Sequence, residues 1–100
     1  MAKGVKTHGL DEIDIMDLRA VKAVAEHRTM AAAAKVLGVT QPLVSYRIQL
    51  IENYFQQPVY HRATRKGEYL TPFGRMLYEY ADAILDTYAE MITLARSFKK

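Results

Sequence analysis

The sequence predicts a mainly α-helical domain: three short helices, a two-stranded β hairpin, then one long terminal helix. Three observations carry that expectation. Apolar residues recur at helical spacing in four separate stretches, each preceded by a side chain that can cap a helix. A glycine stands between two of those stretches with room for only a very short turn. Between the third and fourth stretches, Gln57-Pro58 breaks the helical pattern and a short alternating run replaces it.

Residues 1 to 14 mix Gly4, His8, Gly9 and scattered charges without a period, and are expected to form a flexible tail. From Ile15 the pattern changes. Ile15, Leu18, Val21, Val24 and Ala25 share one helical stripe, Asp14 or Asp17 is available as N-cap, and His27-Arg28 suits the negative end of the helix dipole. Thr29 can cap a second helix, in which Met30, Ala33, Ala34 and Leu37 form the inward stripe and Gly38 supplies a left-handed stop. Its four consecutive alanines keep it slim, so another helix can cross it closely.

Thr40 caps the third helix, residues 40 to 55, and Pro42 falls in the first turn, where its missing N–H costs little. Val44, Ile48, Ile51 and Phe55 anchor one side. Gln41, Ser45, Tyr46, Arg47 and Gln49 are read as the other side, a face of directed hydrogen-bonding groups suited to base edges and phosphates. Ala34, Gly38 and Val44 fit a helix-turn-helix: a small residue at the crossing, a residue tolerant of positive φ, and an apolar residue packing back. That spacing alone is weak evidence, since many helical hairpins satisfy it. The polar face that follows strengthens it.

Val59 to Arg62 and Glu68 to Leu70 read as paired strands around a turn carrying Arg62, Arg65 and Lys66. Beside a helix-turn-helix such a hairpin is a wing, and its cations can reach phosphates or a narrow A·T-rich minor groove. A solvated loop that touches nothing is the plainer reading. The fold class is therefore a winged helix-turn-helix with a further helix, divided as a tail (1–14), a DNA-binding domain (15–71) and a terminal helix (72–100).

That terminal helix begins with Thr71 as cap and Pro72 in the first turn. Phe73, Leu77, Tyr80, Ile84, Thr87, Met91, Leu94 and Phe98 advance in steps of four and three, with Tyr88 beside them, as in a coiled-coil seam. At about 1.5 Å per residue the helix spans roughly 40 Å, more than a small domain can cover. A two-fold homodimer through this seam is expected. The competing arrangement folds the helix back on its own domain as core.

Composition bounds the function. One hundred residues with a net charge of +3 accommodate one domain with a modest core. Charge is uneven: residues 1–14 carry two Lys and three acids, residues 15–71 eight Lys/Arg and four acids, residues 72–100 four of each. The excess lies in the middle, where a polyanion would bind, although a segment of this charge is equally consistent with an ordinary surface. No apolar run is long enough to span a bilayer, the first ten residues lack the core of a signal peptide, and there is no cysteine, all of which fits a cytoplasmic, nucleoid-associated protein.

Enzyme chemistry finds no motif. His8, His27 and His61 lack partners at metal-ligand spacing, Asp82, Asp86 and Glu90 read as a solvated helical face, and no phosphate loop or nucleophile motif occurs. A non-enzyme without metal or cofactor is expected. Seven tyrosines invite a single-strand stacking role, but Tyr54, Tyr80 and Tyr88 are read as packing residues. The rival of a different class is a protein-interaction module, a co-regulator using the long helix to bind another regulatory protein.

Residues 15 to 76 resemble the N-terminal winged helix-turn-helix domain of LysR-type transcriptional regulators, and Pro72 to Phe98 resembles their linker helix. The resemblance rests on Met16-Asp-Leu-Arg19, Val24-Ala-Glu-His27, Ala33-Ala34 with Leu37, Val39-Thr-Gln-Pro42, Ser45 with Ile48 and Glu52, Arg62, and Leu70-Thr-Pro-Phe-Gly74. It covers more than four fifths of the chain. It implies phosphate contacts from Thr29, Thr40 and Ser45, base contacts from Gln41 and Pro42 with Leu43 beside them, and a wing anchored by Arg62. Together with the dimer expected from the terminal seam and with the basic wing, it makes the expected partner double-stranded DNA carrying an A·T-rich inverted repeat. Tyr46 and Arg47 depart from the family pattern, as do Ala32, Arg28 and a wing one residue longer, so the target sequence does not carry over. Arg47 is a candidate for a bidentate guanine contact. The two-lobed effector domain of such regulators has no counterpart in these 100 residues: either the sequence is an excised DNA-binding fragment of a longer regulator, or it is a short regulator without a ligand-sensing domain, and the second is the expectation.

Overall fold

The computed structural model describes residues 13–61 and 69–98. Its helices are α1 (Ile15–His27), α2 (Met30–Leu37), α3 (Gln41–Phe55) and α4 (Pro72–Ser97). Each starts where a side chain satisfies free N–H groups. Asp14 closes a reciprocal capping box with Asp17, while Thr29, Thr40 and Thr71 accept from the backbone N–H groups of Ala32, Leu43 and Gly74. Gly38 ends α2 with φ 71°, while Arg28 and Gln56 adopt the same left-handed form after α1 and α3. Ile13 and Asp14, grouped by composition with the tail, belong to the fold: Ile13 packs on the core and Asp14 is the α1 cap. Residues 1–12 of that expected tail lie outside the described residues.

The core joins all four helices and the segment after α3. Val21 and Val24 of α1, Ala33 and Ala34 of α2, Val44, Ile48 and Ile51 of α3, Val59, and Ala81 of α4 are buried in one cluster. The α1 stripe is wider than its periodicity suggests, because Ala20 and Ala23 are buried too. Phe55 is less of an anchor than expected: it is largely exposed and meets the rings of Tyr54 and Phe73 at 4.8 and 5.6 Å.

The expected two-stranded wing is seen only at its root. Tyr60 and Leu70 form one antiparallel bridge, His61 N–H donates to Tyr69 C=O at 2.9 Å, and Thr71 N–H donates to Val59 C=O at 3.1 Å. No strand extends beyond this bridge among the described residues, and the expected tip, residues 62–68, lies outside them. The root is nonetheless tightly held. Thr71 Oγ1 donates toward Pro58 C=O at 2.7 Å, and α4 meets the root so closely that a Cβ on Gly74 would run into the Val59 carbonyl.

Candidate nucleic-acid interface

The turn Gly38–Thr40 sets α3 across α2, and the buried stripe of α3 fixes which side faces out. Gln41, Pro42, Ser45, Tyr46 and Gln49 form one exposed face, with Leu43 half-buried at its edge. Tyr46 is 55% exposed, a large ring held in solvent at the centre of the helix. Thr29 and Thr40 are also exposed. Each uses its oxygen to accept a capping bond, at 3.0 and 3.4 Å, which leaves the hydroxyl hydrogen free to donate outward.

Arg47 is placed differently from its expected reading position. At about 100° per residue it stands roughly 160° around the helix from the centre of the polar face. There its Nη1 meets Asp17 Oδ1 at 2.9 Å and Asp14 Oδ1 at 3.7 Å, joining α3 to the start of α1. The side chain of Asp17 is 2% exposed and that of Arg47 24%. Asp17 Oδ2 also accepts the Asp14 N–H at 3.0 Å, so the buried carboxylate is used on both oxygens. The signal was available: Arg47 lies three residues after Val44 and four before Ile51, beside the buried stripe.

Two further groups were not singled out from the sequence by their chemistry. Glu52 Oε2 accepts the Val59 N–H at 2.8 Å, tying the end of α3 to the hairpin root. Tyr60 and Tyr69 stack at 5.4 Å, Arg28 lies 4.8 Å over the Tyr69 ring, and the Tyr60 hydroxyl reaches Met30 Sδ at 4.0 Å. This stack braces the root against the α1–α2 turn. Burial pushes the Tyr69 phenol above its ordinary range. Arg62, Arg65 and Lys66 lie outside the described residues.

The apolar seam of α4 divides. Phe73, Leu77 and Tyr88 face the protein's own domain, as do Tyr78, Ala81, Leu85 and Ile92, with Arg19 lying 5.8 Å over the Tyr88 ring. Tyr80, Ile84, Met91, Leu94 and Phe98 form a second stripe in solvent, roughly 100° around the helix. Tyr80, read as a packing residue, is 65% exposed, and Tyr54 is likewise exposed apart from its contact with Phe55. No helix among the described residues is long and apolar enough to cross a membrane.

A tight helix-turn-helix with an outward polar second helix, a hairpin root beside it and a long projecting helix defines the class of helix-turn-helix regulatory domains. Comparisons with known proteins agree. The family model for bacterial regulatory helix-turn-helix proteins of the lysR family matches residues 15–75. Similar relatives include the regulator CzcR of Bacillus subtilis, 37% identical over 79 residues, and DmlR of Escherichia coli, 38% identical over 76. These alignments cover 79% and 76% of this chain but 27% and 24% of the relatives, so the chain spans about a quarter of their length. Among solved structures, the CbnR DBD–DNA complex is 33% identical with a TM-score of 0.72, covering 84% of this chain and 95% of that one. The BenM DBD with benA site 1 DNA is 28% identical with a TM-score of 0.74, covering 83% and 92%. The chain belongs to the lysR family of bacterial helix-turn-helix regulators.

Proposed function

We propose that this chain binds double-stranded DNA sequence-specifically as a transcriptional regulator, placing α3 in the major groove and residues 62–67 against the minor groove or backbone. The observation that carries this reading is the exposed face of Gln41, Pro42, Ser45, Tyr46 and Gln49 flanked by the two capping threonines. A helix of this width fits a major groove, its amides and hydroxyls match base-edge patterns, and Thr29 and Thr40 donate to phosphates on either side. The solved CbnR and BenM relatives are described as DNA complexes, which supports the same use here. Base reading falls to Gln41, Tyr46 and Gln49, with Leu43 and Pro42 as apolar contacts. Arg47 acts from behind as a strut.

The exposed stripe Tyr80, Ile84, Met91, Leu94 and Phe98 supports a homodimer, with the two reading helices related by a two-fold axis. The target is then an inverted repeat, A·T-rich where Arg62, Arg65 and Lys66 enter a narrow minor groove. Selection from a random duplex pool tests binding, symmetry and sequence together. Six wing cations per dimer predict an affinity loss of about 10³ between 50 and 200 mM salt. Absence of duplex binding at micromolar protein and low salt refutes the reading. Light scattering is expected to give twice the monomer mass.

A further inference from the structure

Resting on the proposal above, we infer that a polar clamp between α1 and α4, formed by Lys22, Glu26, Tyr78 and Asp82, determines the half-site spacing the protein accepts. Lys22 Nζ donates to Asp82 Oδ1 at 2.8 Å and to Glu26 Oε2 at 3.0 Å, and the Tyr78 hydroxyl donates to the same Glu26 oxygen at 2.9 Å. One ammonium and one phenol thus join two turns of α4 to two turns of α1. These groups stand apart from the polar face of α3 and make none of its contacts.

Apolar packing of Phe73, Leu77, Tyr78 and Ala81 seats the first half of α4 on the domain, and the clamp adds directional bonds where that packing thins out toward the projecting end. Next to Lys22 and Asp82 the buried side chains are the small Ala23 and Ala81, and crossing angles differ by about 15–20° from one packed helix pair to another, so apolar packing selects a class of angle rather than a single value. Hydrogen bonds have direction and are lost when the helices turn. Beyond Asp82, fifteen residues of α4 run to Ser97, a lever of about 22 Å. A 15° swing at the clamp moves the far end by roughly 6 Å, against a rise of about 3.4 Å per base pair. An angle uncertain by that amount blurs half-site spacing by more than one base pair in each subunit. The two inter-helix bonds therefore set a specificity that no DNA-facing side chain can set.

The experiment selects duplexes carrying two half-sites at every spacing, and measures affinity for a single half-site in parallel. Lys22→Met and Tyr78→Phe keep the bulk of each side chain and remove its polar contacts. The preference of the native protein for its best spacing over one two base pairs longer is expected to fall by roughly tenfold in the double variant, with four inter-helix bonds lost per dimer at the strength of exposed pairs. Single half-site affinity stays within about twofold. Lys22→Glu with Asp82→Lys restores an ammonium between two carboxylates and is expected to restore the preference. An unchanged spacing profile in Lys22→Met/Tyr78→Phe overturns the inference while leaving the DNA reading intact. So does an equal loss of single half-site affinity, which assigns the cluster to domain stability. A native protein that selects no duplex, or no paired half-sites, refutes the underlying reading and this inference with it.

Discussion

Replacing Arg47 by Met tests whether this residue holds the domain together or reads DNA. The substitution leaves Asp17, buried at the start of α1, without the guanidinium 2.9 Å from its Oδ1. Stripping one partner from a fully buried ion pair costs about 3–5 kcal/mol, because a desolvated charge is left uncompensated. Two features reduce that here: the Arg47 side chain is 24% exposed, and Asp17 Oδ2 keeps the Asp14 N–H at 3.0 Å. A loss of about 2 kcal/mol is the resulting expectation, or a Tm lowered by roughly 8–16 °C for a domain of this size. Thermal and urea unfolding at one fixed protein concentration measure it, since dimerisation would make the values concentration-dependent. Asp17→Asn combined with Arg47→Met should be closer to the native protein than Arg47→Met alone, because no buried charge is then left unpaired. An unchanged Tm together with relaxed selection at one base position would show that Arg47 leaves Asp17 to face DNA, and would refute the strut.

Two other outcomes follow from packing and charge. Gly74→Ala places a methyl group into the Val59 carbonyl, against backbone that cannot rotate aside, so a loss of about 3 kcal/mol or failure to fold is expected by the same unfolding measurement. For pH, the hydrogen bond from Lys22, reinforced by that from Tyr78, holds the Glu26 carboxyl below its ordinary value. Its contribution is therefore present above the unfolded carboxyl range, near pH 4, and is lost as pH falls through the lower folded value. The Tm difference between the native protein and Glu26→Gln should shrink below about pH 4 and hold at neutral pH, where the Asp82 and Glu26 bonds raise the Lys22 ammonium well above its usual range and keep it charged. A difference that persists unchanged at pH 3 refutes the assignment.

The sequence by itself determined the four helices and their starts. Thr29, Thr40 and Thr71 cap where expected, and Gly38 stops α2, because caps and stops are settled by hydrogen bonds spanning three or four residues. The polar face of α3 was legible in part: Val44, Ile48 and Ile51 fix the helix's phase and leave Gln41, Ser45, Tyr46 and Gln49 outside, whereas Arg47, read on the same face, lies beside the buried stripe. Only tertiary structure decided what Arg47 does, because its partner Asp17 is thirty residues away and meets it only when α1 and α3 pack. The same holds for α4. Its steps of four and three showed one seam, but two surfaces share them: Phe73 and Leu77 turn inward, while Tyr80 and Leu94 stay outside. A period records how often apolar groups return around a helix. Which of them are covered depends on the direction from which the rest of the domain arrives, and here that direction is set by the buried contact at Gly74 and Val59 and by the bonds of Lys22 and Tyr78.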